Sequence, residues 1–156
     1  MRFFKQKDSN TCGPIALLNV RLWSGQKVSF KKNFQECVKA CKCDNGTQRS
    51  NFTKALNQFK NDRYEIDTHN YINLNDLRSH VVNGGIAVLL YYPKKEWYSH
   101  YCLVVDKIGS EWIIINDGCK SVKCNVLHNK MKEYMKREFI DGVWFPKLWL
   151  ISKTEE

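Results

Sequence analysis

The chain lacks the features that would divide it or anchor it. It has three prolines and eight glycines in 156 residues, with no Pro/Gly/Ser-rich linker, no internal repeat and no low-complexity tract, so residues 1–156 read as a single domain. No apolar run approaches the ~20 residues that a membrane helix needs. The opening MRFFKQKDSN is too short and too polar for a secretory signal. The expectation is a soluble, cytoplasmic protein with no membrane partner. Acidic residues are also scarce: 16 Asp and Glu stand against 25 Lys and Arg, for a net charge of +9. That excess favours acidic partners by long-range attraction, but the lysines are spread along the chain rather than gathered in a stripe. Nucleic acid is therefore the less favoured partner class, suggested only by the charge and by the run from Lys130 to Arg137.

Cysteine is not scarce. There are seven, an odd number, and without a signal sequence they do not read as an extracellular disulfide framework. Cys37, Cys41 and Cys43 form one cluster, and Cys119 and Cys124 another. Neither matches the usual knuckles of structural zinc. Reduced, mostly buried thiols are expected, with no metal and no cofactor.

Periodicity separates the chain into a helical first part and a strand-rich second part. Cys12 to Trp23 is a nearly all-apolar helix ended by Ser24-Gly25. Ser29 caps a helix with Phe30, Phe34, Cys37, Val38 and Cys41 on one side, and Ser50 is the expected cap of another carrying Phe52, Ala55, Leu56 and Phe59. A short strand from Arg63 to Thr68 precedes a helix from Leu74 to Val82, introduced by Asn73 or Asn75 and stopped by Gly84-Gly85. The runs 86–92, 101–105 and 112–115 are β-branched or aromatic and of strand length, and should pair antiparallel. A basic helix from His128 to Phe139 and a closing strand from Lys147 to Ile151 complete an α+β fold.

Gln6-Lys7-Asp8-Ser9-Asn10-Thr11-Cys12-Gly13-Pro14 leads into the most apolar helix. A cysteine there meets the unpaired N–H groups and positive dipole end of a helix, which favour a thiolate nucleophile. Iodoacetamide should then label Cys12 selectively. A buried structural cysteine is the competing reading. Gly13 would let a substrate backbone approach, and Pro14 suits a first helical turn. Of the four histidines, His69 lies in a polar loop, His80 and His128 on helices, and His100 starts a buried strand, the best place for a general base. The group that orients its ring should come from Asn116 or Asp117 on the next strand. With a two-residue turn at Gly109-Ser110, His100 faces position 119, which puts Asp117 on its face and Asn116 on the other; a bulge would reverse that choice. Gln6 could donate its amide N–H to the oxyanion of a tetrahedral intermediate, beside the main-chain N–H of Cys12.

Together these residues resemble the bacteriocin-leader, or double-glycine, peptidases of the papain-like cysteine peptidase clan. Gln6, five residues, then Cys12-Gly13-Pro14 is similar to that family's nucleophile motif; Ser99 to Val105 resembles its histidine strand, and Ile114-Ile115-Asn116-Asp117 the strand ending in its third catalytic residue. The family usually has Asp-Pro where this chain has Asp117-Gly118, and many members precede a membrane exporter. The resemblance implies a papain-like fold, catalysis by Gln6, Cys12, His100 and Asp117 through a thioester, and a polypeptide substrate cut after glycine or another small residue. Positive charge adds a preference for acidic segments. Acyl transferases and non-catalytic peptide-binding modules share the fold and stand as alternatives.

Overall fold

The computed structural model describes residues 1–70, 72–92, 99–118, 122–136 and 147–154. Three helices come first: α1 (Cys12–Trp23), α2 (Phe30–Ala40) and α3 (Arg49–Gln58). They are followed by β1 (Tyr64–His69), α4 (Leu74–Val82), β2 (Ile86–Tyr91), β3 (His100–Ile108), β4 (Glu111–Ile115), β5 (Lys123–Leu127), α5 (His128–Lys136) and β6 (Lys147–Lys153). The α+β class is as expected. The expected extension of α5 to Phe139 falls outside the described residues.

Local chemistry accounts for most boundaries. The Ser29 hydroxyl accepts from Lys32 N–H at 3.1 Å while Asn33 Oδ1 accepts from Ser29 N–H at 2.8 Å, a reciprocal cap on α2. Asn73, not Asn75, caps α4 by accepting from Asp76 N–H at 2.8 Å. Ser50 does not cap α3: that position is Gln48, whose side chain makes no capping bond, and Ser50 lies within the helix.

The strands form one antiparallel sheet in the order β1-β6-β2-β3-β4-β5. β6, read as a closing strand, lies between β1 and β2, and β5 was not anticipated at all. Side chains alternate along each strand, so the sheet feeds two cores. Val88, Leu90, Tyr101, Leu103, Ile115, Trp149 and Ile151 pack with α1, α2 and α3. Ala87, Leu89, Tyr91, Cys102, Val104, Trp112 and Ile114 pack with α4 and α5. β2 is buried along its whole length because both of its faces are covered.

α1 is the buried centre of the first core, yet it carries two polar side chains with defined tasks. Arg21 pairs with Glu36 at 2.6 Å, donates to Gln26 and lies over the Phe59 ring at 4.0 Å, tying α1 to its neighbours. Asn19, fully buried, grips the N-terminal segment: its Oδ1 accepts from Phe4 N–H at 2.7 Å and its Nδ2 donates to Phe4 O at 3.1 Å. A tether thus leads from Phe4 through Gln6 to the start of α1.

Candidate active site

Cys12 is the first residue of α1 and is 5% exposed. The main-chain N–H groups of Tyr101 and Gly13 face its sulfur and favour the thiolate, but burial outweighs them and pushes the thiol up to about 11. The expected resting thiolate is therefore not what the geometry supports, since three peptide dipoles, those of Tyr101, Gly13 and Cys12 itself, do not replace the water that a buried anion loses. The Tyr101 contact puts the sulfur against the start of β3, one residue along the chain from His100.

His100 is also 5% exposed. Its Nε2 lies 2.7 Å from the main-chain oxygen of Asn116. A carbonyl oxygen can only accept, so Nε2 carries the proton and Nδ1 keeps the lone pair. Burial pulls the ring's pKa below its ordinary value, while the Asn116 carbonyl and the Asp117 charge pull the other way. The resting pair is a neutral thiol and a neutral imidazole, with no hydrogen bond yet between them. Such contacts commonly tighten only when substrate binds.

The third position differs from the expectation in its geometry. The two-residue turn at Gly109-Ser110 is present, with Ile108 opposite Glu111, but a bulge at Val105 shifts the register to Val104 opposite Ile114 and Leu103 opposite Ile115. That shift reverses the predicted parity. A second reversal follows at once, because Asn116 adopts a left-handed backbone at φ 61° and ends the strand alternation. The two cancel. The Asp117 carboxylate comes back to the side of Tyr91, accepting from the Tyr91 hydroxyl through Oδ1 and from the Tyr134 hydroxyl through Oδ2 at 3.1 Å. The His100 ring stands edge-on to Tyr91 at 5.8 Å. Asp117 thus acts on His100 through its charge, while the direct bond to the ring is made by the Asn116 carbonyl. The two tyrosines were missed because a phenol at the end of β2 and another on α5 have no sequence signature apart from their place in the pattern.

Gln6 is fully buried, and its Nε2 donates to Asp8 O at 2.7 Å. One amide N–H is left over, and Oε1 has no partner among the described residues. Asp8 Oδ1 accepts from Asn10 N–H and from the Thr11 hydroxyl, each at 2.9 Å, which shapes the loop between Gln6 and Cys12. Asn116 does not point away from the site. Its side chain accepts from Gln6 N–H at 3.2 Å and donates to Phe4 O at 2.9 Å.

Gly13 serves packing rather than substrate approach. A Cβ on it would lie 2.6 Å from Thr47 Oγ1 and 2.8 Å from Thr47 Cβ, so the 42–48 loop seals the side of α1 there. The Cys43 thiol fastens the same loop by donating to Asn10 O at 3.1 Å. Six described cysteines, Cys12, Cys37, Cys41, Cys43, Cys102 and Cys124, are free thiols. Among the described residues no group of three or more His, Cys, Asp or Glu side chains is placed to hold a metal ion. Also among them, no helix is long and apolar enough to cross a membrane.

No family model and no curated protein matches the sequence. Solved structures do match the fold. The peptidase domain of Streptococcus ComA, a bifunctional ABC transporter of a quorum-sensing pathway, superposes with a TM-score of 0.67 at 16% identity, covering 96% of each chain. A double-glycine-motif protease from an AMS/PCAT transporter, solved with a leader peptide, gives 0.66 at 13% identity, covering 99% of this chain and 91% of that one. A C39-like peptidase from Bacillus anthracis gives 0.70 at 8% identity, covering 99% and 96%. The chain has the fold of the double-glycine peptidase domains.

Proposed function

We propose that this chain is a single-domain cysteine peptidase that cleaves peptide or isopeptide bonds through a Cys12 thioester. The observation that carries the reading is the buried ring of His100, the residue before Tyr101, whose main-chain N–H faces the Cys12 sulfur; the ring's Nε2 is committed to the Asn116 carbonyl at 2.7 Å. That commitment leaves Nδ1 as the base. The Cys12 proton passes to Nδ1 as sulfur attacks the carbonyl carbon. The oxyanion is met by the Gln6 amide and the Cys12 main-chain N–H. The imidazolium returns its proton to the departing amine as the C–N bond breaks. Water, deprotonated at Nδ1, then opens the thioester. Asp117 favours the imidazolium by its charge, held in place by Tyr91 and Tyr134.

The substrate is a polypeptide. The likeness to a fold neighbour solved with a leader peptide supports that. Cleavage after glycine or another small residue, with acidic residues nearby, suits the resemblance and the net charge of +9. Profiling a proteome-derived peptide library with the wild type and Cys12→Ala tests this. Cleavage after small residues that disappears in the variant is expected. Aromatic or basic preferences at the cut would exclude a narrow groove, and transfer to added amines without hydrolysis would move the assignment to the acyl transferases. Salt-sensitive nucleic-acid binding with no cleavage at all would overturn the enzyme reading.

A further inference from the structure

Asn116 is 2% exposed and uses every polar atom that it has. Its main-chain oxygen holds His100 Nε2 at 2.7 Å and its main-chain N–H donates to Val122 O at 2.8 Å. Its side-chain Oδ1 accepts from Gln6 N–H at 3.2 Å, and its Nδ2 donates to Phe4 O at 2.9 Å. The carboxamide therefore presents one acceptor and one donor to the edge of the tether, as the next strand of a sheet would. Among the described residues the Gln6 carboxamide has no anchor other than Asp8 O, in an exposed loop. The main-chain clamp is what fixes where that amide starts from.

We propose that Asn116 is a positioning residue that sets the Gln6 oxyanion donor relative to His100, by holding Gln6 with its side chain and the imidazole with its backbone. The proposal rests on the peptidase reading above. The residue type follows from the chemistry. The left-handed backbone at φ 61° suits asparagine better than most non-glycine residues. Aspartate would set a carboxylate against the Phe4 carbonyl with no proton to share. A leucine would bury two unpaired main-chain groups. A one-residue tie matters because an oxyanion donor works only when it is already in place as charge develops.

Asn116→Gly separates the functions, since glycine accepts the same φ, keeps the carbonyl that holds His100 and deletes only the clamp. The expected result is a fall in kcat of about 10- to 100-fold with KM changed by less than about threefold, the range for a displaced oxyanion donor. Gln6→Ala should lose a similar factor. Because Asn116 acts through Gln6, the double variant should be no slower than Gln6→Ala alone within about threefold. The acid limb of the pH profile should stay where it is. Wild-type turnover in Asn116→Gly, or losses that multiply in the double variant, would overturn the proposal. Asn116→Ala serves if the glycine variant fails to fold, since it keeps the carbonyl that holds His100 and deletes both side-chain bonds, and should show the same kcat-selective loss. If the wild type proves to cleave nothing, the peptidase reading falls but the clamp is still measured by amide hydrogen exchange. The Gln6 N–H should exchange at least about tenfold faster in Asn116→Gly, and equal rates would overturn it.

Discussion

Alkylation of Cys12 in the resting protein should rise about tenfold per pH unit from pH 6.5 to 9.5 with no plateau. Burial holds the thiol at about 11 against an ordinary value of 9.0, so below about pH 8 it carries about a hundredth of the thiolate of an exposed cysteine. The more basic thiolate is intrinsically more reactive, by roughly 6- to 10-fold for two pK units at a Brønsted slope of about 0.4–0.5. The net expectation is a rate about tenfold below that of an open thiol, lowered further by an exposure of only 5%. Cys43 and Cys124, only half-buried, should react with iodoacetamide before Cys12 does. A peptide aldehyde should reverse that order, because its carbonyl lets the thiol add while His100 takes the proton. Peptide-resolved mass spectrometry of timed alkylations gives each rate. A Cys12 rate that levels off below pH 8, or exceeds those of Cys43 and Cys124 at neutral pH, would refute the neutral-pair reasoning and indicate a preformed thiolate–imidazolium pair.

The acid limb of kcat/KM should fall below pH 6.5, since His100 must be neutral to act as base and burial lowers its pKa from that value. Asp117 raises the same pKa by its charge, so Asp117→Asn should move the limb to still lower pH while reducing kcat; a limb that moved upward would show that Asp117 does not act on His100 in this way. Gly13→Ala should cost about 1–3 kcal/mol in a urea melt through the clash with Thr47, and Thr47→Gly in the same chain should recover most of it. Failure of that rescue would mean that the 42–48 loop does not set the packing at Gly13.

Helices and the central strands were legible because their signals are local. α1 has its apolar run and Ser24-Gly25 stop, α4 its Asn73 cap and Gly84 exit, and β2 its unbroken burial. β5 was missed since Lys123 to Leu127 alternates weakly and only Val126 is buried there. Cys12, Gln6 and His100 could be picked out by residue type and position. Their electrostatics could not, because whether a helix start carries a thiolate depends on how much water the tertiary fold removes, and here burial wins. The role of Asn116 was hidden for a similar reason. Its partners Phe4 and Gln6 lie 112 and 110 residues away, and no periodicity carries that information.

The bulge at Val105 is the feature that sequence parity could not supply, and its deletion tests what it does. Val104 pairs with Ile114 and Asp106 with Ile113, so removing Val105 joins two registers that are already consecutive on β4. Every other cross-strand partner keeps its place, and His100, Cys102 and Val104 keep their face. The cost is local. Val105 packs at the margin of the first core and lines, with Phe3, Ile113 and Ile115, a groove of about 480 Å³. Losing a partly buried valine there should lower stability by about 1–2 kcal/mol. Alkylation kinetics of Cys12 and the acid limb set by His100 should be unchanged, because both depend on the pairing between β2 and β3 and on Asn116, beyond the bulge. A folded deletion variant whose turnover drops more than about 100-fold would show that the extra twist at the bulge, and not the register alone, aims the imidazole at the sulfur.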